Sequence, residues 1–181
     1  MSQRVLIDPT AFALITERLC HELIENYGDF QDAVLIGVQP RGVRLANELT
    51  DHLRTTDRLG DLATGKLDIT FYRDDFRRTS NPLRPDETTI PGSLEDKRVI
   101  LVDDVLYTGR TIRAALDALL DHGRPASVEL LVLIDRRLHR HVPVEAQYVG
   151  RVVDSIDEER VTVHWADHGA HEVTIQDKRT E

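Results

Sequence analysis

Two adjacent aspartates follow a short apolar run and precede a turn of small residues. Residues 99–102 are Val-Ile-Leu-Val, the acids are Asp103 and Asp104, and residues 108–111 read Thr-Gly-Arg-Thr before a helical pattern begins. This order predicts a buried strand, two carboxylates at its carboxyl end and a helix N-terminus one short loop away. Ligands of open α/β sheets bind at the carboxyl ends of strands, and backbone N–H groups at helix N-termini bind phosphate.

The turn and the two acids together suit a phosphorylated sugar. Thr108, Thr111 and the amides between them can surround a phosphate, and Gly109 permits close backbone approach. The carboxylates can accept hydrogen bonds from a vicinal diol, directly or through hydrated Mg²⁺. Asp-Asp pairs after an apolar strand also occur in receiver domains and Mg²⁺-dependent phosphatases. The Thr-Gly-x-Thr turn is therefore the feature that favours ribose 5-phosphate.

Strand-like and helix-like segments alternate around this motif. Asp8 and Pro9 are typical of an N-cap and a first helical position, and Gly28 is typical of a helix end. Apolar periodicity predicts the remaining elements. We predict helices at residues 9–27, 43–53 and 111–122, strands at 33–38, 66–72, 99–102, 128–134 and 143–149, and a hairpin of 161–165 with 171–175.

The alternation predicts an α/β fold with a mostly parallel central sheet flanked by helices and a small antiparallel C-terminal addition. The 181 residues suit a single domain, 1–181. Residues 73–96 are non-periodic and contain three prolines, so we predict a flexible loop that acts as a lid, with a strand excursion. Residues 145–181 would form a hood that includes the C-terminal hairpin.

Composition excludes several classes of protein. No apolar run approaches the roughly 20 residues that span a bilayer, the N-terminus has no secretory h-region, and Cys20 is the only cysteine. We therefore expect a cytoplasmic protein without membrane association. The formal net charge is −9, so any nucleic-acid binding requires a local basic surface.

The run at residues 100–111, Ile-Leu-Val-Asp-Asp-Val-Leu-Tyr-Thr-Gly-Arg-Thr, resembles the signature of type I phosphoribosyltransferases, which bind phosphoribosyl pyrophosphate (PRPP). A closer resemblance is to the PyrR family of uracil phosphoribosyltransferases that also act as pyrimidine-operon attenuators. It is carried by residues 68–75 (Asp-Ile-Thr-Phe-Tyr-Arg-Asp-Asp), by 123–125 (Gly-Arg-Pro) and by Asp135-Arg136. The resemblance implies the type I phosphoribosyltransferase fold and synthesis of UMP from uracil and PRPP.

The resemblance also implies roles for individual residues. Asp103, Asp104 and Arg41 would be catalytic, the two aspartates would hold Mg²⁺, in part through water, and Arg136, Val149 and Arg151 would contact uracil. The residues implied in PRPP binding are Arg41, Gly42, Arg73, Asp103, Asp104, Val105, Leu106, Tyr107, Thr108, Gly109, Arg110 and Thr111.

Residues 37–42 match the pyrophosphate loop of the family, with Arg41 on pyrophosphate oxygens and Gly42 allowing the backbone to approach them. Such loops often contain a cis peptide bond before the basic residue. If this loop contains one, Pro40–Arg41 is the expected position.

A second role implied by the resemblance is binding of pyrimidine-leader mRNA when a uridine nucleotide, UMP or UTP, occupies the active site. The matching candidates are Arg18, His21, His139 and Arg140, the last two within a segment that has five basic or titratable residues in six (136–141). The family also implies a homodimer or higher homo-oligomer. Two alternatives stay open: a purine or orotate phosphoribosyltransferase, and a nucleotide-sensing regulator without catalysis.

Overall fold

The computed structural model describes residues 3–55, 62–74, 85–156, 158–166 and 169–177. Three short 3₁₀ helices, Thr70–Tyr72, Leu120–His122 and Arg137–His139, accompany the main elements. In chain order these are β1 (Arg4–Ile7), α1 (Pro9–Tyr27), β2 (Ala33–Val38), α2 (Arg41–Arg54), β3 (Ala63–Leu67), β4 (Arg98–Leu106), α3 (Arg110–Leu119), β5 (Ser127–Asp135), β6 (Tyr148–Val152), β7 (Glu159–His164) and β8 (Glu172–Asp177).

Five strands form a parallel sheet in the order β3-β2-β4-β5-β6, which confirms the predicted α/β class. The motif strand β4 lies at the centre of this sheet. Alternate residues of a strand point to opposite faces, and both faces of β4 are buried. Ile100 and Val102 pack into the core that holds α1 and α2, whereas Val99 and Leu101 pack into the core that holds α3.

A second sheet is antiparallel, in the order β1-β8-β7. The β7–β8 pairing confirms the predicted C-terminal hairpin, although residues 167–168 of its turn lie outside the described residues. Strand β1 was not predicted from the sequence. It has four residues and, among the described strands, pairs with β8 near the other end of the chain, so no local pattern could reveal it.

The predicted ends of α1 are confirmed. The Asp8 side chain accepts a hydrogen bond from Ala11 N at 2.8 Å, Pro9 is the first helical residue, and Gly28 follows the helix with φ +63°. These caps satisfy backbone groups that the helix itself leaves unpaired. In the described residues, none of the helices has the length and apolar character that crossing a membrane requires.

Two predicted strand positions were wrong. The strand predicted at 66–72 lies at Ala63–Leu67, because Asp68 accepts hydrogen bonds from the amide and hydroxyl of Thr70 at 3.1 and 2.8 Å and starts a 3₁₀ turn. The strand predicted at 143–149 begins only at Tyr148. Residues before it are held elsewhere, since the amides of residues 141 and 142 donate to the Thr108 carbonyl at 2.9 and 3.1 Å.

The predicted lid is described in part. Residues 75–84 lie outside the described residues. In the described part, Thr89 exchanges two backbone hydrogen bonds of 2.8 Å with Lys66, so this segment makes a short antiparallel bridge to the edge strand β3. The predicted strand excursion is therefore present as a single bridge.

Gly42 brings α2 against β4. A Cβ atom at this position would lie 2.3 Å from the Val102 carbonyl oxygen and 3.0 Å from the Asp103 Cα. We expected Gly42 to allow backbone approach to pyrophosphate, but the structure shows close approach to the strand that carries the two acids. The contact places Arg41, the first residue of α2, beside Asp104.

Replacing Gly42 with alanine should destabilise the protein by about 1–3 kcal/mol, because the added methyl group overpacks a backbone contact. The direction of this change in stability is informative, because helix propensity alone would make the alanine variant more stable by about 1 kcal/mol. Urea unfolding followed by circular dichroism measures the effect. Arg44→Ala, on the exposed side of α2, is the control and should change stability by less than about 0.5 kcal/mol. Unchanged or increased stability of Gly42→Ala would contradict the packing argument.

Candidate active site

The two acids lie inside the last part of β4 rather than just beyond it. The strand extends to Leu106, and Asp103 pairs in register with Val132 of β5. Both aspartates are buried, with 7% and 2% of their surface exposed. The amide of Asp104 donates to Asp103 Oδ1 at 2.9 Å, so the first carboxylate is oriented by the backbone of the second.

Burial and mutual repulsion act on this pair. The pKa of Asp103 is raised to about 8, first by desolvation and then by the negative charge of Asp104. Desolvation also raises the pKa of Asp104, while the Arg41 guanidinium acts in the opposite direction. The carboxylates therefore carry an electrostatic cost that a bound cation or hydroxyl donor would relieve.

Asp104 Oδ2 is the atom that points most directly to a ligand. It is buried and makes no hydrogen bond to any described residue, although Arg41 Nε lies 3.5 Å away at ion-pair distance. Buried polar atoms in native proteins usually have partners. An oxygen in this position fits a substrate hydroxyl or a water molecule of a hydrated cation.

The loop before α2, residues 39–40, lines the site together with the two aspartates. Its cis peptide bond is Gln39–Pro40, not the expected Pro40–Arg41. Proline removes most of the preference for the trans form of the preceding bond, which explains the position. The Gln39 amide donates to the Leu67 carbonyl at 2.9 Å, and this fastens the loop to β3.

The predicted phosphate turn adopts the conformation that its glycine allows. Gly109 has φ +86° and stands as the N-cap of α3, so the first amides of the helix face the turn. A Cβ at Gly109 would lie 3.3 Å from Val142, which shows that the segment around residue 142 packs directly behind the turn. The Arg110 side chain pairs with Asp74.

Tyr107, at the start of the turn, is held by side chains that follow β5. The Arg136 guanidinium lies over its ring at 4.0 Å, and the His139 ring meets it edge to face at 5.8 Å. Arg140 donates to the Tyr107 carbonyl and pairs with Asp135. The residues after β5 thus brace the turn that is expected to bind phosphate.

Two adjoining cavities surround the acids, with volumes of about 480 and 340 Å³. They share Arg41, Asp103, Val105 and Thr111. The larger one is also lined by Leu106, Tyr107, Thr108, Gly109, Ile112, Arg136, Arg160 and Val161, and the smaller one by Gln39, Pro40, Asp68, Ile69, Thr70, Arg73, Asp86 and Asp104. The structure therefore brings together most of the residues implied in PRPP binding.

Several lining residues were missed by sequence analysis. Arg160 and Val161 belong to β7 of the antiparallel sheet, and Asp86 belongs to the lid segment. No motif marks these positions, because only the packing of elements that are distant in sequence brings them to the cavities.

Two of the residues implied in uracil contact lie elsewhere. Neither cavity has Val149 or Arg151 among its described lining residues. The Arg151 guanidinium donates to the Leu6 carbonyl of β1. Arg18 of α1 donates to the carbonyls of Val149 and Gly150 at 3.0 and 2.7 Å, so this RNA-binding candidate holds the strand implied in base recognition.

The remaining RNA-binding candidates fall on two elements. His21 is exposed on α1, 4.0 Å from Glu17. His139 lies in the 3₁₀ helix after β5, with Nε2 2.9 Å from the Ser155 carbonyl, and Arg140 is mostly buried beneath the turn. The exposed side chains of residues 136–141 are Arg137, Leu138 and His141.

The raised pKa of Asp103 predicts a pH-dependent stability. Between its usual value near 3.8 and about 8, the folded protein retains a proton that the unfolded chain has lost, so stability falls as pH rises through this range. Asp103→Asn removes this titration. The free energy of unfolding of Asp103→Asn in urea, relative to that of the wild type, should therefore increase from pH 5 to pH 8 by on the order of 2 kcal/mol. Asp51→Asn, at an exposed position of α2, is the control. An advantage that shrinks with pH would contradict the assignment.

Comparison with known proteins agrees with this geometry. A family model described as a phosphoribosyl transferase domain matches residues 5–168. Among solved structures, the chain is similar to a hypoxanthine-guanine phosphoribosyltransferase of Bacillus anthracis, with a TM-score of 0.66 and 20% identity, covering 83% of this chain and 84% of that one. It is also similar to the hypoxanthine phosphoribosyltransferase of Trypanosoma cruzi, with a TM-score of 0.67 and 18% identity over 96% of both chains. At these identities the likeness concerns the fold.

Curated relatives are more similar in sequence. The "Bifunctional protein PyrR" of Halalkalibacterium halodurans is 43% identical over 178 residues, covering 97% of this chain and 98% of the relative. The protein of the same name in Geobacter sulfurreducens is 45% identical over 159 residues, covering 88% and 89%. The one in Deinococcus deserti is 47% identical over 146 residues, covering 81% and 79%. The chain therefore belongs to the phosphoribosyl transferase domain family and, within it, to the PyrR proteins.

Proposed function

We propose that this protein is a uracil phosphoribosyltransferase that makes UMP and diphosphate from uracil and PRPP, and that it also regulates pyrimidine biosynthesis by binding leader mRNA. The observation that carries the enzymatic part is the buried Asp103–Asp104 pair at the junction of two cavities, one of which contains the phosphate turn. A phosphate site and a diol site joined by one short loop match a ribose 5-phosphate held lengthwise.

The proposed placement of PRPP rests on the helix N-terminus in the larger cavity and on two arginines among the residues that line the smaller one. The 5-phosphate would occupy the turn of residues 108–111, where α3 begins and backbone amides converge. The ribose hydroxyls would meet Asp103 and Asp104. The diphosphate would extend into the smaller cavity toward Arg41 and Arg73, which supply positive charge there.

The donor set around the acids fits Mg²⁺. Within the described residues there is no cluster of three or more His, Cys, Asp or Glu side chains arranged to hold a metal. Mg²⁺ is commonly bound by one or two carboxylates, with substrate oxygens and water completing its shell. Asp104 Oδ2, which accepts no hydrogen bond from the described residues, suits that arrangement, and the bound ion would neutralise the leaving diphosphate.

In the proposed reaction, N1 of uracil forms a bond to C1 of the ribose while the C1–O bond breaks and its electron pair leaves with diphosphate. The N1 proton passes to the departing diphosphate or to water. Positive charge develops on the ribose ring as the leaving group departs. The Asp103 and Asp104 carboxylates lie where that charge can be stabilised in a site removed from bulk water. Catalysis would therefore rest on positioning and electrostatics, without a covalent enzyme intermediate.

Asp104→Asn should lower kcat for UMP formation by about a hundredfold or more, because it removes a charged group from the transition state. The assay follows UMP from uracil and PRPP, with hypoxanthine, guanine and orotate as competing bases. Asp32→Asn, whose side chain is 82% exposed, is the control and should leave the rate unchanged. Near-normal turnover by Asp104→Asn would contradict the catalytic role of Asp104. Preference of the wild type for another base would show that uracil is not its main substrate.

The proposed regulatory role concerns exposed basic and titratable side chains on an acidic protein. Binding of a nucleic-acid backbone needs local positive charge. Arg137, which also pairs with Asp154, and His141 and His21 are exposed near the two elements implied by the resemblance. Arg140 and His139 contact the phosphate turn from behind, which supports a dependence of this surface on nucleotide occupancy. We also propose that the active form is a homodimer or a higher homo-oligomer.

A gel-shift titration with pyrimidine-leader RNA tests this role. UMP should strengthen binding by about tenfold, within the usual range of coupling between sites. The affinity should also fall steeply as salt increases. A scrambled RNA of equal length is the control. Equal binding of both RNAs, or binding indifferent to UMP, would leave the protein as an enzyme alone.

A further inference from the structure

Two short segments are joined by side-chain hydrogen bonds at the rim of the larger cavity. We call them the latch: residues 136–139, which follow β5, and residues 154–156, which lead into β7. Its five bonds are Arg136 Nε to Ser155 Oγ at 2.7 Å, Arg136 Nη2 to the Ile156 carbonyl at 2.9 Å, Arg137 to both oxygens of Asp154 at 2.7 and 2.9 Å, and His139 Nε2 to the Ser155 carbonyl at 2.9 Å.

The buried hydrogen bonds of the latch hold the two segments more strongly than the exposed ones. Arg137 and Asp154 keep 60% and 54% of their side-chain surface exposed, and ion pairs in that setting contribute little. Arg136 and Ser155 are 4% and 2% exposed. A buried N–H group that loses its acceptor carries a desolvation cost, so the Ser155 hydroxyl contributes to the orientation of Arg136 alongside its bond to the Ile156 carbonyl.

Arg136 passes this constraint to the phosphate turn. Its guanidinium lies over the Tyr107 ring at 4.0 Å, and its amide donates to the Leu106 carbonyl at 2.9 Å. Tyr107 directly precedes Thr108 and lines the same cavity as Arg136. On the other side, the latch continues into β7, whose Arg160 and Val161 also line that cavity.

We propose that Ser155 is a positioning residue for the phosphate end of the active site, acting through Arg136 on the turn at Tyr107. This inference rests on the proposed function. The hydroxyl fixes the plane of the guanidinium, the guanidinium fixes the Tyr107 ring, and the ring fixes the start of the turn. None of the motifs in the sequence marks Ser155.

Ser155→Ala should raise KM for PRPP and weaken UMP binding, each by about tenfold, because the buried Arg136 Nε loses its acceptor. Its kcat should change less than about threefold, since the hydrogen bond lies outside the groups proposed to act in the transition state. Steady-state kinetics and calorimetric titration of UMP into the protein measure the two effects. Ser155→Thr keeps a hydroxyl at the same Cβ and should restore the wild-type values.

Two further variants make the test specific. Thr16→Val removes a buried hydroxyl that donates within α1, to the Phe12 carbonyl at 3.0 Å, and should leave KM and UMP affinity unchanged. In an Arg136→Lys background, where the planar fork is absent, Ser155→Ala should have no further effect on KM.

The outcomes separate this inference from the proposed function. Wild-type protein that makes no UMP and binds none would defeat the proposed function itself. An active wild type with unchanged KM and UMP affinity in Ser155→Ala would overturn the inference. It would equally be overturned if Ser155→Thr were as impaired as Ser155→Ala, or if the Ser155→Ala effect persisted in full in the Arg136→Lys background.

Discussion

The burial of two neighbouring carboxylates at the carboxyl end of β4 is the constraint on which the site depends. Desolvation raises the cost of ionising both acids, the charge of Asp104 adds to the cost for Asp103, and the partners inside the protein do not offset it. Arg41 approaches at 3.5 Å and compensates in part. The arrangement destabilises the protein without ligand and favours binding of a cation or a cationic transition state. Such a trade-off between stability and activity is common at active sites.

The approach of Arg41 is itself a packing result. Gly42 allows α2 to touch the backbone of β4, and the Gln39 amide joins the preceding loop to β3 through the Leu67 carbonyl. A bulkier residue at position 42 would move the start of α2, and with it the guanidinium, away from the acids. The packing of α2 against β4 therefore also sets the distance between the Arg41 guanidinium and the two acids.

The phosphate turn depends on a second set of contacts, from behind. Residues after β5 hold the Tyr107 ring and carbonyl, and the Thr108 carbonyl accepts two amides from residues 141 and 142. These contacts explain why the segment before β6 is not a strand, although its apolar residues suggested one. They also place His139 and Arg140, which are implied in RNA binding, against the phosphate turn. The same segment would therefore serve both RNA binding and the support of the active site.

Local patterns were sufficient wherever one element carries its own signal. Asp8, Pro9 and Gly28 marked α1, the apolar runs marked β2, β4 and β5, and the Thr-Gly-Arg-Thr turn marked the start of α3. The resemblance to the PyrR family, carried by short motifs, agrees with the family to which the chain belongs. Where a polar side chain competes with the backbone, as Asp68 does with β3, the periodic pattern was misleading.

The sequence by itself determined the parallel sheet, the adjacent acids and the phosphate turn, because strand period, helix caps and a left-handed glycine are local properties of the chain. Only the tertiary structure decided which side chains reach the cavities. Arg160 arrives from the antiparallel sheet, Ser155 reaches Arg136 across 19 residues, and Arg151 turns to Leu6 across 145. Such contacts depend on how separate elements pack together, and no spacing within a single element encodes them.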